Sequence, residues 1–117
     1  MTAMKTTITK DNNTTIFALN GRLDSNSAPQ FEQELQEFLV SPCTNLLFDF
    51  NNLEYISSAG LRVILNIAKA YKSCQYRFIT CAMQEHVQEV FEISGFDSFI
   101  TIHRSLDESL SALKDRK

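Results

Sequence analysis

The densest chemical information in the chain lies in Asp49-Phe50-Asn51-Asn52-Leu53-Glu54-Tyr55-Ile56-Ser57-Ser58-Ala59-Gly60-Leu61-Arg62-Val63-Ile64-Leu65. Two hydroxyls, Ser57 and Ser58, stand where the loop after an apolar strand enters a very apolar helix. A hydroxyl at that junction can do two things. Its oxygen can accept from an orphan backbone N–H and so cap the helix. It can also receive a phosphate, which unpaired N–H donors and the positive end of the helix dipole would stabilise. The spacing leaves both readings open for Ser57 and Ser58. Gly60 has no side chain and is expected to leave room for a partner's backbone or a nucleotide. The carboxyl ends of strands in an open α/β sheet are a usual place for such sites.

Other chemistry is sparse. There is no GxGxxG, no GxxxxGK[ST] and no HExxH, and the chain has only 3 glycines to build a phosphate-cradling loop. Ser57-Ser58-Ala59-Gly60 is not a GxSxG elbow. His86 is placed on the solvated side of a helix, opposite Val87, and neither it nor His103 stands in a triad context. Glu32, Glu34 and Glu37, like Glu85, Glu89 and Glu92, read as exposed helix faces rather than acid–base pairs. Cys43, Cys74 and Cys81 are an odd number without CxxC spacing, and the histidines show no ligand spacing with them. Reduced thiols, no disulfide framework and no zinc site are expected. The chain is therefore read as not an enzyme, with no metal site.

The elements that must position the two serines follow from periodicity. Lys5–Thr9 and Thr14–Leu19, joined by Asp11-Asn12-Asn13, read as a hairpin, with Asn20-Gly21 closing its second strand. In that strand Phe17 and Leu19 share one face, Ile16 and Ala18 the other. Ser27-Ala28-Pro29-Gln30 has capping-box spacing, and Phe31, Leu35, Phe38 and Leu39 form one helical stripe that stops at Ser41-Pro42. Leu46–Phe50 reads as a buried strand, and Leu53–Ser58 as a connection into a helix from Ala59 to Lys72. Tyr76–Cys81 is the next strand. A helix over Gln84–Ile93 buries Val87, Val90 and Phe91 and ends at Ser94-Gly95 in a glycine cap. Phe99–His103 is a last strand, and Ser105-Leu106-Asp107-Glu108 opens a helix carrying Leu106, Leu110 and Leu113, with a frayed end over Lys114–Lys117. The order ββαβαβαβα implies an α/β fold with a mostly parallel sheet and an antiparallel edge supplied by the hairpin.

Composition bounds the partners. With 117 residues there is room for one domain, and 44% hydrophobic residues are enough to build its core. Eleven Lys and Arg against 14 Asp and Glu give a net charge of −3, without the basic footprint of a nucleic-acid binder. The start, MTAMKTTITK, has no apolar signal region, and the charge-free run Phe38–Phe48 is too short to span a bilayer. A cytoplasmic protein with no direct membrane insertion is expected.

Tyr55-Ile56-Ser57-Ser58-Ala59-Gly60-Leu61-Arg62-Val63-Ile64-Leu65 closely resembles the signature of bacterial anti-sigma factor antagonists of the STAS family (sulphate transporter and anti-sigma factor antagonist). Gly21-Arg22-Leu23-Asp24 resembles the family's G-x-L-D after its second strand, and Phe91-Glu92-Ile93-Ser94-Gly95-Phe96 its late F-x-x-[ST]-G motif. The resemblance spans nearly the whole chain. It implies a single STAS-like domain over residues 1–117, its core running from about residue 4 to about residue 113. The expected fold is a mixed, mostly parallel β-sheet with an N-terminal antiparallel hairpin, flanked by about four helices.

The resemblance also implies a partner switch and no cofactor. The unphosphorylated antagonist would bind an anti-sigma factor, a serine kinase of the histidine-kinase-like ATPase fold, and free the sigma factor. Phosphorylation would break that complex, and a metal-dependent serine phosphatase would restore it. Carried over by position, Ser58 is the phosphoacceptor and Asp24 lies beside it on the neighbouring loop. The implied partner-facing surface is Asp24, Ser57, Ser58, Gly60, Leu61 and Arg62, on a monomer or weak dimer. Two positions depart from the pattern: Ser57 stands where relatives usually have Asp, and Ala59 where they commonly have Ser or Thr. The alternative from another class is a constitutive STAS subunit of an ABC-type lipid or solute transporter.

Overall fold

The computed structural model describes residues 4–114, so the end expected to fray lies outside the described residues beyond Lys114. A five-stranded sheet in the order β1-β2-β3-β4-β5 is formed by β1 (Lys5–Asp11), β2 (Thr14–Leu23), β3 (Asn45–Ile56), β4 (Phe78–Cys81) and β5 (Thr101–His103). β1 and β2 are antiparallel around Asn12-Asn13, and Asn12 adopts the left-handed φ of 58° that a tight hairpin asks for. Every other pairing is parallel, as expected from strands alternating with helices.

The helices divide unequally between the two faces. α1 (Ala28–Glu34), α2 (Gln36–Val40), α3 (Ser58–Lys72) and α4 (Glu85–Ile93) cover the face built by Phe17, Leu19, Phe48 and Phe50. α5 (Leu106–Lys114) covers Ile16, Leu47, Ile79 and Cys81 on the other face with Leu106, Leu110 and Leu113. The alternation Ile16/Phe17 and Leu47/Phe48 therefore sorts one strand into two cores, as period-two geometry requires. Edge-on ring contacts from Phe17 to Phe38 at 5.6 Å and from Phe48 to Phe78 at 4.9 Å pack the first core.

Several boundaries differ from the sequence expectation, each for a local reason. β2 does not close at Asn20-Gly21; Gly21, at φ 106°, lets the strand continue to Leu23. β3 does not stop at Phe50 but runs through the polar Asn51-Asn52-Leu53-Glu54 to Ile56. Its register against β2 slips twice, between Ala18 and Asn20 and between Gly21 and Arg22, so β3 carries extra residues in two bulges. The buried positions of this half are consequently Phe50, Leu53 and Ile56, three apart instead of two. The single helix expected before Ser41-Pro42 is broken at Leu35, yet Phe31, Leu35 and Phe38 all remain buried. β4 and β5 are shorter than read, beginning at Phe78 and Thr101, and Phe99 lies in the loop after a 3-10 turn over Phe96–Ser98. Gly95, at φ 80°, ends α4 as a glycine cap.

Candidate functional site

β2 and β3 are parallel neighbours, so the loops leaving their carboxyl ends emerge side by side. The Ser57 N–H donates to the Leu23 carbonyl at 2.9 Å and locks the two exits together. Asp24 follows Leu23, so its loop leaves the sheet beside the start of α3.

Asp24 shapes its own loop. Its Oδ1 accepts from the backbone N–H of Asn26 at 3.0 Å and of Ser27 at 3.1 Å, and the Ala28 N–H donates to the Asp24 carbonyl at 2.8 Å. That is the bonding of an N-cap. The capping box expected at Ser27 is therefore displaced: Ser27 has helical backbone angles and no cap bond, and its hydroxyl donates to the Arg22 carbonyl at 2.8 Å. The Ser27 backbone N–H, more than any other group, holds the Asp24 carboxyl below the usual carboxylate range; burial opposes it, while Asn26, the Ser27 hydroxyl and the Arg22 charge assist. Arg22 Nε stands 3.9 Å from Asp24 Oδ2, and its guanidinium lies 4.2 Å above the Tyr55 ring. Arg22 and Tyr55 are register partners across β2 and β3. This cation–π pair was not singled out in the sequence, because the bulges that make the two residues neighbours leave no periodic signal.

The two serines separate in role. Ser57 is the N-cap of α3: its backbone is extended and its Oγ accepts from the Gly60 N–H at 3.3 Å. Ser58 is the first helical residue and is exposed. Arg62 is exposed one helical turn further on, on the same side of α3 as Ser58.

Gly60 and Leu61 correct the expected partner surface. Gly60 is buried, and a Cβ placed on it would lie 2.7 Å from Leu23 Cγ, 2.8 Å from the Leu23 carbonyl oxygen and 3.0 Å from Ile56 Cγ1. The missing side chain lets α3 lie against its own β2, so packing within the chain is enough to require a glycine here. Leu61, at 9% exposure, packs into the core with Leu23 and Ile56. The accessible members of the expected set are Asp24, Ser57, Ser58 and Arg62, joined by Arg22 and Tyr55.

His86 occupies the other flank of the β3 exit. Its Nε2 is 2.6 Å from the Glu54 carbonyl, and since a carbonyl can only accept, Nε2 carries the proton. Gln84 Nε2 donates to the Asn51 carbonyl at 3.0 Å, so the start of α4 is pinned to both bulges of β3. His103 lies on β5, with Nδ1 2.8 Å from Ser109 Oγ, and belongs to the α5 face rather than this site. Among the described residues, no group of three or more His, Cys, Asp or Glu is placed to hold a metal ion. Among the same residues, no helix is long and apolar enough to cross a membrane.

Fold and site together define a class: an α/β domain that presents an exposed hydroxyl on the first turn of a helix, beside a capped acidic loop. Residues 5–109 match the STAS domain, and the chain belongs to that family. BtrV of Bordetella bronchiseptica, provisionally named an anti-sigma factor antagonist, is 39% identical over 111 residues, spanning 95% of this chain and 96% of that protein. A Thermotoga maritima structure, likewise provisionally named an anti-sigma factor antagonist, superposes with a TM-score of 0.86 at 23% identity, covering 93% of this chain and 94% of that one. The Bacillus cell fate determinant SpoIIAA in its phosphorylated form superposes with a TM-score of 0.73 at 16% identity, covering 93% and 99%. These two structural likenesses concern the fold.

Proposed function

We propose that this chain is an anti-sigma factor antagonist that binds its anti-sigma factor when Ser58 is free and releases it when Ser58 is phosphorylated. One observation carries the reading: of the two adjacent hydroxyls, that of Ser57 is engaged in capping α3, while Ser58 is exposed on the first turn. The full-length similarity to BtrV supports the antagonist role over the transporter-subunit alternative. The partners under this reading are a serine kinase of the histidine-kinase-like ATPase fold, which is the anti-sigma factor, and a metal-dependent serine phosphatase. The chain itself contributes no catalysis and works in the cytoplasm.

The departure at Ser57 has a physical meaning here. Asp and Ser are comparable N-caps, so Ser57 keeps the cap that an aspartate would supply while removing its charge. A phosphate on Ser58 then meets the orphan N–H groups of α3 and the nearby Arg62 without a like charge immediately before it. The phosphorylated chain should stay folded. In the complex, the same dianion would be desolvated against a surface shaped for a neutral hydroxyl, which is unfavourable. The direct experiment is phosphosite mapping after incubation with the cognate kinase and ATP. Phosphate on Ser58 is the expected result; phosphate on Ser57 alone overturns the assignment.

A further inference from the structure

A groove opens at the opposite end of α3 from Ser58. α3 has 15 residues, so the two ends stand about 22 Å apart at the helical rise. The groove has a cavity volume of about 840 Å³, and its apolar wall is formed by Leu65 and Phe78 with Phe96 from the 3-10 turn and Phe99 from the loop after it. Phe99 is 67% exposed, a large aromatic with no cover in the free chain. Lys69, Lys72 and Arg77 line the same groove, and among the described residues no Asp or Glu does, although the chain as a whole carries a net charge of −3. Lys69 and Lys72 complement the C-terminal end of the α3 dipole. Arg77 lies beyond α3, after the turn that precedes β4, so the helix dipole does not account for it.

From this pairing of an aromatic wall with a cationic rim, we infer that the groove binds a small anionic amphiphile, its acidic head on Lys69, Lys72 and Arg77 and its apolar tail against Phe78, Phe96 and Phe99. The volume falls in the range of small-molecule sites, roughly 300–1,000 Å³. Charge complementarity selects an anion, and the aromatic wall selects a tail over a compact, fully hydrated ion such as inorganic phosphate. The site is independent of the partner switch, since it shares no residue with the Ser58 surface.

Decanoate below its micellar concentration is the probe, titrated calorimetrically and by amide chemical-shift mapping against the whole chain. Saturable binding is expected, with shifts confined to the last turn of α3, the start of β4 and Phe96–Phe99. Decyltrimethylammonium should not bind. Lys72→Glu/Arg77→Glu, and separately Lys69→Glu/Lys72→Glu, should each weaken decanoate at least tenfold while thermal unfolding stays cooperative; Ser58→Glu should leave it unchanged. Absence of saturable binding, shifts centred elsewhere, equal affinity for the cationic surfactant, or full affinity in both charge-reversed variants would overturn the inference. So would self-association of the free chain that buries Phe99, which assigns the groove to a second copy. An acidic amphipathic peptide that binds where decanoate does not would assign it to a protein partner and equally overturn it.

Discussion

Replacing Gly60 by alanine sets two well-understood effects against each other. Helix propensity alone predicts a gain of about 1 kcal/mol, because glycine is the poorest non-proline residue inside a helix. The structure predicts the opposite sign. The new methyl would sit 2.7 Å from Leu23 Cγ and 2.8 Å from the Leu23 carbonyl oxygen. The carbonyl is main chain inside a strand and also accepts the Ser57 N–H, so it cannot swing aside without loosening the bond that joins the two loops. Overpacking costs about 1–3 kcal/mol; a main-chain contact below 3 Å puts this site at the upper end, a net loss of about 2 kcal/mol against the propensity gain. For a domain of this length that is a fall in Tm of roughly 6–10 °C. Paired calorimetric and urea unfolding of Gly60→Ala and wild type reads it directly. An unchanged or higher Tm would refute the packing argument and restore the view that Gly60 is kept open for a partner.

Three further outcomes follow from the same geometry. Ser57→Ala should cost about 1 kcal/mol through loss of the α3 cap, and Ser57→Asp should recover it, measured by urea denaturation. Because the folded-state pKa of Asp24 is lowered, its contribution to stability is complete above the unfolded carboxylate value of about 3.9 and is lost as pH falls through the lower folded value. The stability difference between wild type and Asp24→Asn should therefore be flat from neutral pH down to about 5 and shrink only below roughly 4; a difference that grows on acidification contradicts this. The Cys81 thiol is pushed up to about 12, first by burial and then by the Asp49 charge, so a disulfide reagent at pH 8 should modify exposed Cys43 in the native protein and reach Cys81 only on unfolding.

How far the sequence revealed the molecule depended on whether the signal was local. The hairpin at Asn12-Asn13, the strand–helix alternation and the glycine cap at Gly95 were legible because turn chemistry and hydrophobic period state them within a few residues. The carboxyl half of β3 was not. Its two bulges convert a period of two into buried residues three apart, and its polar positions face solvent, so Asn51 to Glu54 reads as loop. Ser27 advertised a cap that Asp24 takes instead, three residues earlier and with the better geometry. Both candidate hydroxyls were visible; spacing alone allowed either to cap α3, the resemblance put the acceptor at Ser58, and the cap bond itself falls to Ser57. Gly60 was visible, but its packing reason was not: what the missing side chain avoids is Leu23, a contact between α3 and β2 that no local pattern encodes.

An affinity titration of three variants against the anti-sigma factor tests the proposed Ser58 switch most directly. Under the proposed switch, Ser58→Glu would place a carboxylate where the complex calls for a neutral hydroxyl, and each ~1.4 kcal/mol of uncompensated charge is a factor of ten in affinity. Binding should weaken at least roughly a hundredfold for Ser58→Glu. Ser58→Ala should bind as wild type and accept no phosphate, and Ser57→Ala should bind and still be phosphorylated. Full-strength binding by a folded Ser58→Glu variant would contradict the account.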